Sequence, residues 1–207
     1  MRTTTKEVPF EERHRYGTLD VTAKVAVLLK EVMRRERGVT FICGTTGMGK
    51  TLFAYDYLEA RSALGFAPTF YAGDVRSVVS LARILARARD APVLGVLRIP
   101  GSTGTVNRVR DMLDGGLPSL PLNVITLRLV PRLCRVCKKR DGPYFVRGEG
   151  GHCCAHGTNG RVRIVEVLLY DDMRDHAPAF TSGSLVVDAE RRLGEGVIAP
   201  ADVISLG

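Results

Sequence analysis

Residues 44–51 have the types and spacing of a loop that binds phosphate. They follow the pattern G-x-x-x-x-G-K-[ST] and are Gly44, Thr45, Thr46, Gly47, Met48, Gly49, Lys50 and Thr51. The glycines allow backbone N–H groups to curl toward phosphate oxygens, the Lys50 ammonium can reach the β and γ phosphates, and the Thr51 hydroxyl can ligate magnesium. These residues predict a site for a nucleoside triphosphate together with Mg²⁺.

The residues on either side of this loop have the patterns that such a loop requires. Residues 39–43 form a short apolar run that predicts a buried strand, and residues 52–64 carry apolar side chains at helical spacing. A phosphate-binding loop connects a strand to a helix in this order. A chance glycine-rich turn would not need both neighbours, so we favour the phosphate-binding interpretation.

An aspartate farther along the chain is the candidate acid for this site. Asp74 lies in the segment 73–76, directly after a second short strand predicted at residues 69–72. A carboxylate at the end of a neighbouring strand can hold the magnesium shell or orient an attacking water. We therefore predict Asp74 and Lys50 as catalytic residues. The alternative is that Asp74 only caps a helix or closes a turn.

A second group of residues has the spacing of metal ligands. Cys134 and Cys137 form a C-x-x-C pair, and Cys153 and His156 form a C-x-x-H pair after an interval of fifteen residues. Each pair suits one side of a tetrahedral zinc ion. Three thiolates and one imidazole would make a closed structural site. The sequence therefore predicts these four residues as Zn²⁺ ligands.

The second pair of this module leaves alternatives open. Cys154 or His152 could take the place of one of its ligands, and the whole group could instead be core cysteines beside surface histidines. A disulfide framework is disfavoured because the chain has five cysteines, an odd number. Cys43, inside the first apolar run, is most simply a buried core thiol.

The composition indicates a globular chain that is large enough for a substantial core. It has 207 residues, of which 45% are hydrophobic, and a formal net charge of +8. The charge suits nucleic acid, anionic lipid or phosphate partners, and it suits ordinary solvated faces equally well. Because the N-terminus lacks an apolar targeting segment and no apolar run could cross a bilayer, we expect a cytoplasmic protein without a transmembrane segment.

The predicted elements divide the chain into four parts. Residues 1–19 are a polar lead, residues 20–131 a P-loop core, residues 132–160 a cysteine-rich zinc module, and residues 161–207 a C-terminal strand and helical segment. Within the core, helices are predicted near residues 21–32 (with Asp20 as its cap), 52–64, 78–88 and 105–113, and strands at 39–43, 69–72 and 93–97. This alternation predicts an α/β fold with a parallel sheet.

Four segments in chain order resemble the ATPases of type II secretion and type IV pilus assembly. Residues 37–44 are similar to the family's entry into its phosphate-binding loop, and residues 73–76 to its Walker B segment. Residues 124–134 resemble the segment before the family's cysteine module, and residues 160–168 the strand after its zinc knuckle. The similarity extends over roughly residues 20–170 and is collinear.

This resemblance implies a RecA-like P-loop fold with a small zinc-knuckle insertion, and a motor that uses ATP, Mg²⁺ and Zn²⁺. The family's members form hexameric rings at the cytoplasmic face of the inner membrane. The resemblance therefore implies a homo-oligomer, or a mixed ring with a full-length homologue. It also implies a secretion or pilus platform protein as partner and a peripheral position at the inner membrane. Nucleic acid is not expected as a partner.

The chain departs from the family pattern at positions that concern hydrolysis. Only 22 residues separate Thr51 from Asp74, so the family's acidic Asp box is missing, and Arg98 falls near the place of its His-box histidine. Asp74 itself replaces a glutamate. We therefore expect weak or partner-dependent hydrolysis. One alternative is a non-hydrolysing nucleotide-binding assembly or regulatory subunit, and another is a basic zinc-containing protein that binds nucleic acid.

Overall fold

A computed structural model of the chain describes residues 21, 23–113, 120–170 and 181–204. The helices are α1 Ala23–Arg34, α2 Lys50–Ala63, α3 Val78–Arg87, α4 Ser102–Met112, α5 Leu185–Gly194 and α6 Pro200–Ile204. The strands are β1 Gly38–Cys43, β2 Phe70–Asp74, β3 Pro92–Leu97, β4 Leu122–Leu133, β5 Lys139–Asp141, β6 Tyr144–Val146, β7 Thr158–Tyr170 and β8 Thr181–Gly183. Among the described helices, none is long and apolar enough to span a membrane.

Six of the strands form one sheet in the order β2-β3-β1-β4-β7-β8. The first four strands in this order are parallel, and they are connected through helices. Every residue of β1 and of β3 is buried, as expected for central strands of a sheet that is covered on both faces. The edge strand β2 is much more exposed. The carboxyl ends of the parallel strands therefore share one edge of the sheet.

Helices cover both faces of this sheet. Side chains of α1 and α2 pack with Ile42 in one apolar cluster, whereas side chains of α3 and α4 pack with Phe41 in another. Successive residues of a strand point to opposite faces, so β1 contributes to both clusters. A third cluster joins Val130 of β4 and Ile164 of β7 to α5. The C-terminal helices are thus packed onto the far ends of the two long strands.

The α/β architecture predicted from the sequence is confirmed, with one difference in the sheet. Strand β7 runs antiparallel to β4, from Leu122 opposite Tyr170 to Leu133 opposite Thr158, and β8 runs antiparallel to β7. The chain leaves β4, forms the cysteine module with its β5–β6 hairpin, and returns directly as β7. No helix crosses over between β4 and β7 there, so a parallel return is not available.

Several boundaries also differ from the prediction. The second strand extends to Asp74, so this residue ends β2 instead of following it. The helix after the phosphate-binding loop begins at Lys50, and the small β5–β6 hairpin had no sequence prediction. The predicted cap Asp20 lies outside the described residues. The division into four parts stays a prediction.

A fully buried arginine ties the end of α1 to the segment after α2. Arg61 donates hydrogen bonds from Nε to the Ala67 carbonyl at 2.7 Å, from Nη2 to the Arg35 carbonyl at 3.0 Å, and from Nη1 to the Met33 carbonyl. Met33 and Arg35 lie where α1 ends, and the last carbonyls of a helix have no partner within it. Arg61 therefore caps α1 from inside the protein.

Arg61→Met is expected to lower the free energy of unfolding by about 3 kcal/mol or more, because three carbonyls lose a charged donor and remain buried. In a chain of this size the midpoint of thermal unfolding should fall by roughly 6 to 12 °C. Arg34→Met, which removes an exposed arginine from the same helix end, is the matched control and should change stability by less than about 0.5 kcal/mol. Equal unfolding midpoints for the two variants would contradict the capping role.

Candidate functional site

The phosphate-binding loop connects β1 to α2 at the carboxyl edge of the sheet. Its backbone adopts the left-handed region at Gly44, with φ of 143°, and at Gly49, with φ of 73°. A Cβ atom at Gly44 would lie 2.7 Å from the Leu127 carbonyl oxygen, closer than real Cβ contacts come. Glycine is therefore required at Gly44 both by the backbone conformation and by the close approach of β4.

Helix α2 presents its N-terminus to this loop. Gly49 precedes the first helical residue and offers no side chain to cap the helix. The first N–H groups of a helix have no partner within the helix, and the helix dipole adds partial positive charge there. This end of α2 is thus built to receive an anion such as phosphate.

Lys50 folds back across the loop. Its Nζ donates a hydrogen bond to the Thr45 carbonyl oxygen at 2.7 Å, and only 7% of the residue is exposed. Burial lowers the pKa of the ammonium, and the positive charge of Arg98 lowers it further. The charge is consequently held inside the curve of the loop, where an anion would bind.

Two contacts on the far side support the loop. Met48 Sδ accepts a hydrogen bond from the Leu129 backbone N–H at 3.2 Å, which joins the loop to β4. Arg163 of β7 lies next to Gly49, forms a buried ion pair with Asp56 of α2 at 3.7 Å, and lies over the Phe53 ring. Arg163 was not among the predicted site residues, although an arginine between the apolar residues of a strand was a signal in the sequence.

Asp74 ends β2 and lies between two arginines. Its Oδ2 accepts a hydrogen bond from Arg76 Nη2 at 2.8 Å and another from Arg98 Nη2 at 2.9 Å. The bond from Arg76, followed by that from Arg98, lowers the pKa of the carboxyl below its usual value. Asp74 is therefore ionised at neutral pH, and one of its oxygens is already engaged.

One cavity brings the loop and the acid together. It has a volume of about 260 Å³ and is lined by Thr46, Gly47, Gly49, Lys50, Thr51, Leu52, Asp74, Val96 and Arg98. The predicted residues Lys50, Thr51 and Asp74 thus face the same space. Gly44, Thr45 and Met48 belong to the loop but do not line this cavity. Arg98, which was not a predicted site residue and was noted only as falling near the place of the His-box histidine, borders it as well.

The cysteine module gathers four thiols. The Sγ atoms of Cys134, Cys137, Cys153 and Cys154 all lie within 4.8 Å of one another. Those of Cys137 and Cys154 are 3.3 Å apart, and those of Cys153 and Cys154 are 3.8 Å apart. In a tetrahedral site with Zn–S bonds of about 2.3 Å, neighbouring sulfurs are separated by roughly 3.8 Å. The four thiols therefore fit a zinc ion.

The fourth member of this cluster is Cys154, whereas His156 was the predicted fourth ligand. The Gly151 N–H donates to the Cys154 carbonyl oxygen at 3.1 Å, and this tight turn brings the adjacent thiols of Cys153 and Cys154 to the cluster. His156 has a left-handed backbone with φ of 52°, at the bend that leads into β7, and it is not part of the cluster. His152 is not part of it either. The alternative that replaced a ligand by Cys154 matches this arrangement.

The backbone around the thiols is closely packed. A Cβ atom at Gly148 would overlap the Cys137 carbonyl oxygen, so only glycine fits where the two segments cross. Backbone N–H groups of Cys137 and Val136 stabilise the Cys134 thiolate and lower its pKa to about 6. Burial and the neighbouring thiols raise the pKa of Cys154 to about 12. A cation among the four sulfurs would relieve the repulsion between their thiolates.

No family model matches the chain. Type II secretion system protein E of Pseudomonas aeruginosa is 24% identical over 252 residues, which cover 86% of this chain and 50% of that protein. The chain is thus similar to a secretion ATPase over most of its own length. It spans about half the length of this curated relative, and the aligned stretch is longer than the chain itself. That relative therefore carries segments within the aligned region that this chain lacks.

Three solved structures of other proteins share the fold. The ATPase DotB of Legionella pneumophila is similar over 86% of this chain and 62% of its own, with 15% identity and a TM-score of 0.55. The DotB ATPase of Yersinia pseudotuberculosis gives 11% identity over 86% and 60% of the two chains, with a TM-score of 0.54. The pilus retraction motor PilT with bound ADP gives 16% identity over 87% and 64%, with a TM-score of 0.51. The predicted fold class is thereby confirmed.

Proposed function

We propose that the chain is an ATP-binding, motor-type subunit of a type II secretion or type IV pilus assembly system. The observation that carries the proposal is the single cavity onto which Lys50, Thr51 and Asp74 converge at the N-terminus of α2. The relationship to secretion and pilus ATPases supplies the biological setting. Both lines of support agree with the resemblance of the four sequence segments.

The residues of the loop have separate roles in this function. Backbone N–H groups of Gly47, Gly49 and the first turn of α2 bind phosphate oxygens, and Lys50 transfers its hydrogen bonds from the Thr45 carbonyl to the β and γ phosphates. Thr51 and Asp74 would hold Mg²⁺ directly or through water. The ion, when bound, neutralises part of the phosphate charge.

The arrangement around Asp74 favours weak or partner-dependent hydrolysis. Asp74 is the only carboxylate among the described residues that line the cavity, and it is bound to two arginines through one oxygen. A depressed pKa makes it a poor proton acceptor, because the best general bases have pKa values near the working pH. The same observation supports the alternative of a nucleotide-binding assembly or regulatory subunit that does not hydrolyse ATP.

The cysteine cluster supports a structural zinc site as a second element of the proposal. Cys134, Cys137, Cys153 and Cys154 would supply all four ligands, leaving no open position for substrate. Leu133 donates its N–H to the Val197 carbonyl, and Lys138 Nζ donates to the Gly196 carbonyl at 2.8 Å. A zinc ion would thus stabilise the base on which the C-terminal helices pack.

The remaining features of the proposal follow from the family. The subunit forms a hexameric ring, or a mixed ring with a full-length homologue, and meets an inner-membrane platform protein from the cytoplasmic side. A full-length partner could provide catalytic groups that this chain lacks. Nucleic acid binding is not part of this function. The basic residues around the cysteine module serve solvation or contacts within the ring.

Phosphate release from Mg-ATP tests the proposed function. The purified chain is expected to bind ATP but to release phosphate slowly, and the rate per ring should rise when a full-length type II secretion ATPase is added. Mixing that homologue with Lys50→Ala chain is the control, since any remaining increase then belongs to the homologue alone. An unchanged rate with bound ATP would favour the non-hydrolysing alternative, and failure to bind ATP would refute both.

A further inference from the structure

Arg98 lies beside the phosphate-binding loop because of the strand register. Leu97 at the end of β3 is paired with Cys43 at the end of β1, so the next residues along these parallel strands, Arg98 and Gly44, are neighbours. The Arg98 side chain borders the cavity that also contains Lys50 and Thr51. A guanidinium therefore stands at the phosphate site without belonging to the loop motif.

The hydrogen bond that now holds this guanidinium is easily exchanged. The side chain of Arg98 is 58% exposed, and that of Asp74 is 31% exposed. Exposed ion pairs contribute little free energy, whereas a guanidinium binds phosphate through paired, charge-assisted hydrogen bonds. Asp74 also keeps Arg76 as a partner when Arg98 turns away. The exchange thus leaves no unpaired carboxylate.

The charges that line the cavity favour an anion at this position. Lys50 and Arg98 supply two positive charges, and Asp74 supplies one negative charge. The charge of Arg98 is felt by Lys50, whose pKa it lowers after the larger effect of burial. An additional anion near Arg98 would therefore reduce the repulsion between the two cations. A loop of this type binds the α and β phosphates of a nucleotide through its backbone N–H groups, which would leave the position next to Asp74 for the terminal phosphate.

We propose that Arg98 is a phosphate-contacting residue, which exchanges Asp74 for the terminal phosphate of a nucleoside triphosphate and gives the site a preference for triphosphate over diphosphate. This inference rests on the proposed nucleotide site. It assigns the preference to a residue of β3 that lies in the same chain as the loop. Arg76 contacts the same oxygen of Asp74, but it is not among the described residues that line the P-loop cavity. It borders a neighbouring cavity of about 340 Å³.

Calorimetric titration of ATP and ADP into wild type, Arg98→Ala and Arg76→Ala tests this assignment. The titrations contain no added magnesium. They also contain no chelator, so that metal at the cysteine cluster is retained. Arg98→Ala is expected to weaken the binding of ATP by roughly 10- to 100-fold and the binding of ADP by less than about threefold. Arg76→Ala should change neither affinity by more than about threefold. Equal effects of Arg98→Ala on ATP and ADP, or no effect, would overturn the inference.

A second variant and two controls separate this inference from the proposed function. Asp74→Asn frees Arg98 and removes a negative charge. Without magnesium this variant should therefore bind ATP more tightly than wild type. Weaker binding would overturn the inference that Arg98 exchanges Asp74 for phosphate. Wild type that binds both nucleotides, with Lys50→Ala binding neither, maintains the proposed function whatever Arg98 does. Wild type that binds neither nucleotide refutes both. Circular dichroism checks that each variant is folded.

Discussion

Replacing Lys50 by alanine is expected to weaken the binding of ATP by roughly 100- to 1000-fold, which corresponds to about 3 to 4 kcal/mol. The ammonium is held within the loop by the Thr45 carbonyl and is shielded from solvent, so its hydrogen bonds to phosphate form in a site of reduced screening. No neighbouring cation in the loop can replace it. Binding of ADP should fall as well, because Lys50 reaches the β phosphate. Equilibrium titration of both nucleotides measures the effect.

The control for this prediction is a lysine that has no part in the site. Lys24 lies exposed on α1, and Lys24→Ala should leave both affinities unchanged. Thermal unfolding of Lys50→Ala distinguishes a lost phosphate contact from a lost fold. A folded Lys50→Ala variant with the affinity of wild type would show that the loop is not the nucleotide site.

Cys154→Ser is expected to remove zinc from the chain, whereas His156→Ala is expected to retain about one zinc ion per chain. Cys154 contributes one of the four clustered thiols, and His156 lies outside the cluster. Loss of residues that merely orient zinc ligands costs 10- to 100-fold in metal affinity, so loss of a ligand should cost more. Elemental analysis of the two purified variants, beside wild type, gives the stoichiometry directly.

The same pair of variants tests whether zinc stabilises the segment between β4 and β7, on which the C-terminal helices pack. If Cys154→Ser loses the ion, the segment between β4 and β7 should become sensitive to proteases, because metal binding and local folding are linked. His156→Ala should be as resistant as wild type. Retention of zinc by Cys154→Ser together with its loss from His156→Ala would restore the assignment made from the sequence. Absence of zinc from wild type would show that the four thiols do not form a zinc site.

Local patterns made much of the fold predictable. Residues 39–51 combine an apolar run, glycines and a lysine in an order that specifies strand, loop and helix. This unit can be predicted without knowledge of contacts to distant residues. A strand after the cysteine module was predicted and is β7, but its direction was not predicted. The direction of β7 depends on how the chain returns through the cysteine module, and the residue pattern within β7 does not indicate that path.

The parts of the site that escaped prediction depend on contacts between distant segments. The bond between Arg98 and Asp74 joins residues 24 positions apart, and it arises from the neighbouring ends of β2 and β3. Arg163 reaches the loop from a strand more than 100 residues later. The spacing predicted the C-x-x-H pair with His156 and left Cys154 as an alternative, whereas the tight turn at Gly151 brings adjacent thiols together.

Two-dimensional amide NMR titration of the chain with Mg-ATP tests directly whether the loop of residues 44–51 binds the nucleotide. We expect the largest shifts on the backbone amides of Gly47, Gly49, Lys50 and Thr51, because these residues line the cavity at the start of α2. Smaller shifts should extend to Asp74. Unchanged amides in the loop, or shifts confined to the cysteine module or another surface, would contradict the claim that this loop binds the nucleotide.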